Sequence, residues 1–197
     1  MPVRVLCDTS DGVELRSLHR GLARRIFDSV HSDREHLGRW LPWVQATQGL
    51  PDTVKFLQSA REAFLRGEAL HGAIWCQDEF AGMMSLRIVR KEDAVGHIGY
   101  WVHSSYQGQG VVTRLMRAFV PYCFREWGMH RLELHCAVAN ARSCRVAERI
   151  GFQLEGTMRQ SQRVNGCYAD MRLYALLASE WDWESSAAHS KANSRRG

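Results

Sequence analysis

The chain has 197 residues, 45% of them hydrophobic and 24% charged. That is the size and make-up of one ordinary globular domain, and it excludes an intrinsically disordered chain; four prolines exclude a collagen-like or proline-rich one. The net charge of +5 suits an anionic small ligand or an acidic partner and is too diffuse to indicate nucleic-acid binding.

In chain order, Val13 to Leu18 alternates apolar and polar residues and is predicted as an opening strand. Leu22, Ile26, Val30 and Leu37 recur at helical spacing over residues 19–38, with Asp33 a candidate N-cap between two short helices. Trp40-Leu41-Pro42-Trp43 reads as an aromatic loop. Pro51 and Asp52 open a helix that carries Val54, Leu57, Phe64 and Leu65 and stops at Gly67. Three strands follow over residues 70–76, 80–89 and 94–102. A Gly-rich segment, Gln107-Gly108-Gln109-Gly110, then precedes a long apolar stripe. In it Val111, Leu115, Phe119, Cys123 and Trp127 recur at every fourth position, with Val112, Met116, Val120 and Phe124 beside them. This predicts a buried helix, kinked at Pro121 and ended by Gly128. A strand over residues 131–136, a short helix capped by Asn140 and stopped by Gly151, and two strands over 152–159 and 170–177 complete the domain, set at residues 1–183. Residues 184–197, small and polar with Lys191, Arg195 and Arg196, are expected to form a disordered basic tail. The order of elements predicts a mixed α/β (α+β) fold with an antiparallel front and a βαβ-like centre.

The six cysteines form no C-x-x-C pair, the first residues carry no apolar signal core, and no apolar run approaches the ~18 residues of a membrane span. These features read as a cytoplasmic protein, off the membrane, with free and mostly buried thiols. There is no H-E-x-x-H, no G-x-S-x-G and no cluster of metal ligands, so no metal is expected.

Chemistry points to the strand, glycine segment and helix around Gly110. A helix N-terminus carries unpaired N–H groups and about half a positive charge, and glycines let a phosphate approach the backbone. Together they make a diphosphate cradle. No Lys follows as in G-x-x-x-x-G-K-[ST], and no third Gly as in G-x-G-x-x-G. The plainer alternative is a Gly-rich turn that caps a core helix.

Residues Gln107 to Val112 resemble the Q/R-x-x-G-x-G/A signature of the GNAT N-acetyltransferases, with Gln107, Gly110 and Val112 in the marked places. Val112 departs from the small residue preferred there. The resemblance continues in Ile98-Gly99-Tyr100-Trp101, in Asn140-Ala141-Arg142-Ser143, in Ala147 to Phe152 with Glu155-Gly156, and in Leu37 to Trp43 and Tyr174 to Trp181. It is similar to the branch that acetylates ribosomal-protein N-termini and covers residues 13–183.

The resemblance implies a single domain whose mixed central sheet splays between two parallel strands, flanked by helices, with acetyl-CoA in the cleft. On it, Val102 would pair with the pantetheine arm. Gln107 and the amides of Gly108, Gly110, Val112 and Thr113 would hold the pyrophosphate, helped by Arg114, Arg117 or Arg145. Asn140 would bond the pantetheine and Ser143 would face the thiolate leaving group. A plain N-cap at Asn140 and a first-turn serine bonding its own backbone at Ser143 are the structural alternatives. The amine must lose a proton. His97 stands where relatives often carry Glu, and histidine titrates near neutrality; a partly buried strand histidine is its plainer alternative. Gln162 stands where relatives place a carboxylate, which leaves Asp170 or water as the other candidates. Trp40, Trp43, Tyr100 and Tyr168 are candidate walls of the acceptor site. The implied function is direct acetyl transfer, in a ternary complex, to a protein or peptide N-terminus such as that of a ribosomal protein. A small amine (a polyamine, amino acid or antibiotic) is the second acceptor class, and a non-catalytic CoA or nucleic-acid module a third reading. The family also implies a homodimer.

Overall fold

The computed structural model describes residues 4–182, so the tail expected over 184–197 lies outside the described residues. The chain opens with the strands β1 (Val5–Asp8) and β2 (Val13–Ser17). Four helices follow, α1 (Ala23–Ser32), α2 (Arg34–Gly38), α3 (Trp43–Ala46) and α4 (Leu50–Leu65). Then come β3 (Ala69–Cys76), β4 (Glu79–Arg90), β5 (Val95–Val102), α5 (Val111–Glu126), β6 (Arg131–Ala137), α6 (Ala141–Ile150), β7 (Gln153–Val164) and β8 (Cys167–Leu177). The strands form one sheet in the order β1-β2-β3-β4-β5-β6-β8-β7.

Strands β5 and β6 run parallel and pair over only three positions, Val95 with Arg131, Gly96 with Leu132 and His97 with Glu133. Beyond them β5 continues to Val102 and β6 to Ala137 without pairing, while β4 and β8 hold their outer edges. A gap therefore opens in the middle of the sheet, as the splay implied above requires.

Helices α5 and α6 cover one face of the sheet. Val111, Leu115, Phe119 and Cys123 pack with Leu15, Ile74, Leu86, Ile98, Leu132 and Leu134. Helices α1 to α4 cover the other, where Ile26, Val30 and Leu57 meet Ala73, Met83 and Trp101. Successive strand residues point to opposite faces, so Ile98 and Val102 join the first core and Trp101 the second. Pro121 lies inside α5 without ending it, because the stripe around it is fully buried and packing outweighs one missing backbone bond.

The expected caps of α6 are present. Asn140 Oδ1 accepts from the Ser143 amide at 3.2 Å, and Gly151 ends the helix with φ +98. Asp33 sits between α1 and α2 as expected but makes no side-chain cap. Its buried carboxylate instead accepts from the Ser104 amide at 2.8 Å, tying the helical layer to the chain just past β5. Four elements depart from expectation. The short edge strand β1 went unpredicted, and Trp43, placed in a loop, opens the single turn α3. Strands β7 and β8 run well past residues 159 and 170, into a long hairpin whose outer half is polar on both faces and so carries no apolar period. Of the thiols, Cys123, Cys136 and Cys144 are buried, whereas Cys167 is exposed at the start of β8.

Candidate active site

The gap between β5 and β6 has three walls. The first is the glycine segment. Gly108 and Gly110 adopt φ +76 and +74, backbone that side chains disfavour, and Gly110 is the N-cap of α5. A Cβ at Gly108 would meet nothing within 4 Å, and one at Gly110 only the Arg114 Nε at 4.0 Å. The space before the helix is thus open. Val111, Val112 and Thr113 form its first turn, where amides have no carbonyl one turn back. This fits a diphosphate. The Gln107 side chain, expected in the cradle, is engaged elsewhere. Its Oε1 accepts from Arg142 Nη1 of α6 at 2.6 Å, and its Nε2 lies 2.6 Å from His36 Nε2 of α2. Arg114 pairs with Asp11 in the turn between β1 and β2 and reaches the Gln109 carbonyl at 3.3 Å. Arg117 and Arg145 are exposed, and Val102 and Val112 are buried.

The second wall lies on the face of α5 and α6. Ser143, in the first turn of α6, has its Oγ 2.9 Å from Tyr100 Oη and 3.2 Å from Cys136 Sγ. Burial pushes the Tyr100 hydroxyl above its ordinary range and the Cys136 thiol up to about 11, so both stay protonated at neutral pH. Ser143 therefore sits between two neutral donors, a suitable neighbour for a developing thiolate. Tyr100 belongs to this wall, across the sheet from Trp101.

The third wall lies on the face of α1 to α4. Here the rings of His97 and His135 meet edge to face at 4.5 Å. His97 Nε2 is buried without a hydrogen-bond partner, and burial, then His135 and Arg87, lower its pKa to about 4. Trp43 leans on Trp101 at 6.1 Å, while Trp40 is half-buried close by in the chain. Tyr168 stands apart on the β7–β8 hairpin, exposed, with the Arg163 guanidinium 5.9 Å from its ring centre. That hairpin touches the helical layer where Asn165 Nδ2 donates to the Gly38 carbonyl at 3.0 Å. Asp170 accepts from the Gln160 amide at 2.8 Å and pins the bulge in β7. Sequence reasoning passed over His135 and Glu133. The signal was there: Arg131, Glu133 and His135 alternate with Leu132, Leu134 and Cys136, putting three polar residues on one face of a central strand.

The acetyltransferase (GNAT) domain family model matches residues 13–153. The ribosomal-protein-serine acetyltransferase of Escherichia coli is 30% identical over 168 residues, covering 85% of this chain and 94% of that protein. The [ribosomal protein uS5]-alanine N-acetyltransferase of Escherichia coli is 25% identical over 177 residues, covering 88% and 91%. Among solved structures, RimL, a ribosomal L7/L12 alpha-N-protein acetyltransferase in complex with coenzyme A, superposes with a TM-score of 0.84 at 30% identity. That match covers 88% of this chain and 98% of RimL.

Proposed function

The chain belongs to the GNAT acetyltransferase family, and from that premise we propose that it transfers the acetyl group of acetyl-CoA to the α-amine of a protein, such as a ribosomal-protein N-terminus. The observation that carries the reading is the gap itself. It joins an open glycine cradle at the start of α5 to the hydroxyl of Ser143, with titratable rings on its opposite side.

Acetyl-CoA supplies an activated thioester. The amides of Val111, Val112 and Thr113, with the open backbone of Gly108 and Gly110, hold its diphosphate. Asn140 stays the cap of α6 and orients Ser143, whose Oγ meets the charge that develops on the leaving sulfur. The amine proton leaves on the opposite face, where the rings of His97 and His135 meet. Trp40, Trp43 and Tyr168 border the approach of the acceptor, and the polar hairpin tip favours a peptide over a small cation. Among the described residues no helix is long and apolar enough to cross a membrane. We place the enzyme in the cytoplasm, where its substrates are made, as a homodimer to be checked by light scattering.

Thiol release from acetyl-CoA, followed across a panel of N-terminal peptides and small amines, tests the reading. The expected result is turnover with peptide α-amines, best with Ser or Ala first. Turnover confined to polyamines or amino acids moves the acceptor to the small-amine class. Tight CoA binding with no turnover on any amine leaves a binding module.

A further inference from the structure

Strand β6 divides its chemistry between the two faces of the sheet. Cys136 touches Ser143 on one side, so His135, its neighbour in the strand, stands at the same level of the gap on the other. It lies past Glu133, the last position of β6 that pairs with β5, and so borders the opening directly.

Glu133 is built to receive it. Its Oε1 accepts from Arg131 Nε at 2.9 Å and faces Arg90 Nη2 at 3.5 Å, while its Oε2 faces His135 Nε2 at 3.6 Å. Arg131 is clamped in turn by both oxygens of Glu155. Burial acts to raise Glu133, but Arg131, Arg90 and His135 together hold its carboxyl below the ordinary range, so it is ionised at neutral pH. His97 has no such partner. The Nε2 atoms of both rings are buried without a hydrogen bond, but that of His135 faces the Glu133 carboxylate at 3.6 Å, whereas His97 has Arg87 opposite it in register. Arg87 and Glu133 act on both rings, but Glu133 is the leading charge on His135 and the last on His97, so a positive charge is better met on His135.

We propose that His135, backed by Glu133, accepts the amine proton during acetyl transfer, with His97 the neutral ring that packs edge-on against it. The inference rests on the acetyltransferase reading above. In the step, the acceptor nitrogen bonds the thioester carbonyl carbon and the C–S bond breaks. The sulfur keeps the electron pair and takes up a proton on the Ser143 side. The N–H proton moves to Nδ1 of His135, the ring nitrogen not turned to Glu133, and on to water, the side chain being 33% exposed while Nε2 is buried. The groups that act on His135 are His97 from β5, Arg87 from β4 and Glu133 from its own strand, with Arg90 and Arg131 held on Glu133 behind it; across it on β8 lies Leu173. Burial lowers its pKa, Glu133 opposes that, and the net direction is down, so the ring is ready to accept at neutral pH.

The test compares pH profiles of kcat/KM for the wild type, His135→Gln, Glu133→Gln and His97→Phe with acetyl-CoA and a peptide amine. The acceptor's own titration is common to all four. His135→Gln should lose about 100-fold with acetyl-CoA affinity intact. Glu133→Gln should lose about tenfold and move the acidic limb to lower pH. His97→Phe should lose less than His135→Gln; the reverse order would return the proton to His97 and overturn the proposal, as would a folded His135→Gln within threefold of wild type. If His135→Gln does not fold, NMR titration of the His135 ring carries the test. Its midpoint should fall in Glu133→Gln, and an unmoved midpoint overturns the proposal. A wild type that neither binds acetyl-CoA nor releases thiol with any amine fails earlier, at the reading beneath.

Discussion

Ser143 shows how one residue serves structure and chemistry with different atoms. Its backbone amide satisfies the Asn140 cap, and its hydroxyl meets Tyr100 and Cys136 in the gap. Ser143→Ala keeps the amide, so the cap should survive, and any fall in melting temperature should come from the Tyr100 hydroxyl left without its partner. The lost hydroxyl should lower kcat by roughly 10- to 150-fold, the equivalent of about 1.5–3 kcal/mol for a hydrogen bond to a charged group, with acetyl-CoA affinity nearly unchanged. Steady-state kinetics and a melt on that variant check this, and an undiminished kcat would leave Ser143 a helix-end residue. Asn140 and Ser143 were legible in the sequence because a cap and its first turn are local. The contact of Tyr100 with Ser143 was not, because alternation along β5 says which residues share a face but not what packs against it. The pairing of His135 with His97 needs the register of two strands 38 residues apart (135 − 97).

At the scale of elements, the strand, glycine segment and α5 form the most legible unit, since an eight-residue buried stripe and two glycines at positive φ follow from residue spacing alone. The β7–β8 hairpin is the least legible. Its outer half is mostly exposed, and the bulge pinned by Asp170 and the contact of Asn165 with Gly38 help to fix its course. Two substitutions at Gly110 separate strain from charge. Gly110→Ala meets only the Arg114 Nε at 4.0 Å, so its cost is the positive φ alone, of order 1 kcal/mol, read in a melt. Gly110→Glu adds a carboxylate beside the first-turn amides of α5, where the diphosphate would lie. Calorimetry should show coenzyme A binding abolished in the Glu variant and largely kept in the Ala variant. Unchanged affinity in Gly110→Glu would remove the cradle from the cofactor assignment.

For the whole molecule, the fold class was readable from the order of elements, but its response to acid was not. Nine histidines are scattered along the chain, and the assembled sheet partly buries three of them, on β3, β5 and β6. His71 on β3 meets Phe56 of α4 at 5.4 Å, and His97 and His135 meet across the gap. Burial lowers the pKa of all three, with His97 reaching about 4. A base whose pKa is lower folded than unfolded binds fewer protons in the folded state, so stability rises with pH across the interval between the two values. The stability these rings contribute is complete above about pH 6.5 and is lost as pH falls towards 4. For His97 the interval corresponds to on the order of 3 kcal/mol at most. Glu133 and Glu155, both held below the ordinary carboxylate range, add to the loss only at still lower pH, after the histidines have acted. The melting temperature should therefore fall by several degrees between pH 6.5 and 4.5. His97→Phe, which keeps a ring and removes the titration, should flatten that slope. Melts of both proteins across the interval check the argument, and a wild-type melting temperature that holds constant from pH 6.5 to 4.5 would mean that the buried rings take up protons as readily in the folded chain as in the unfolded one.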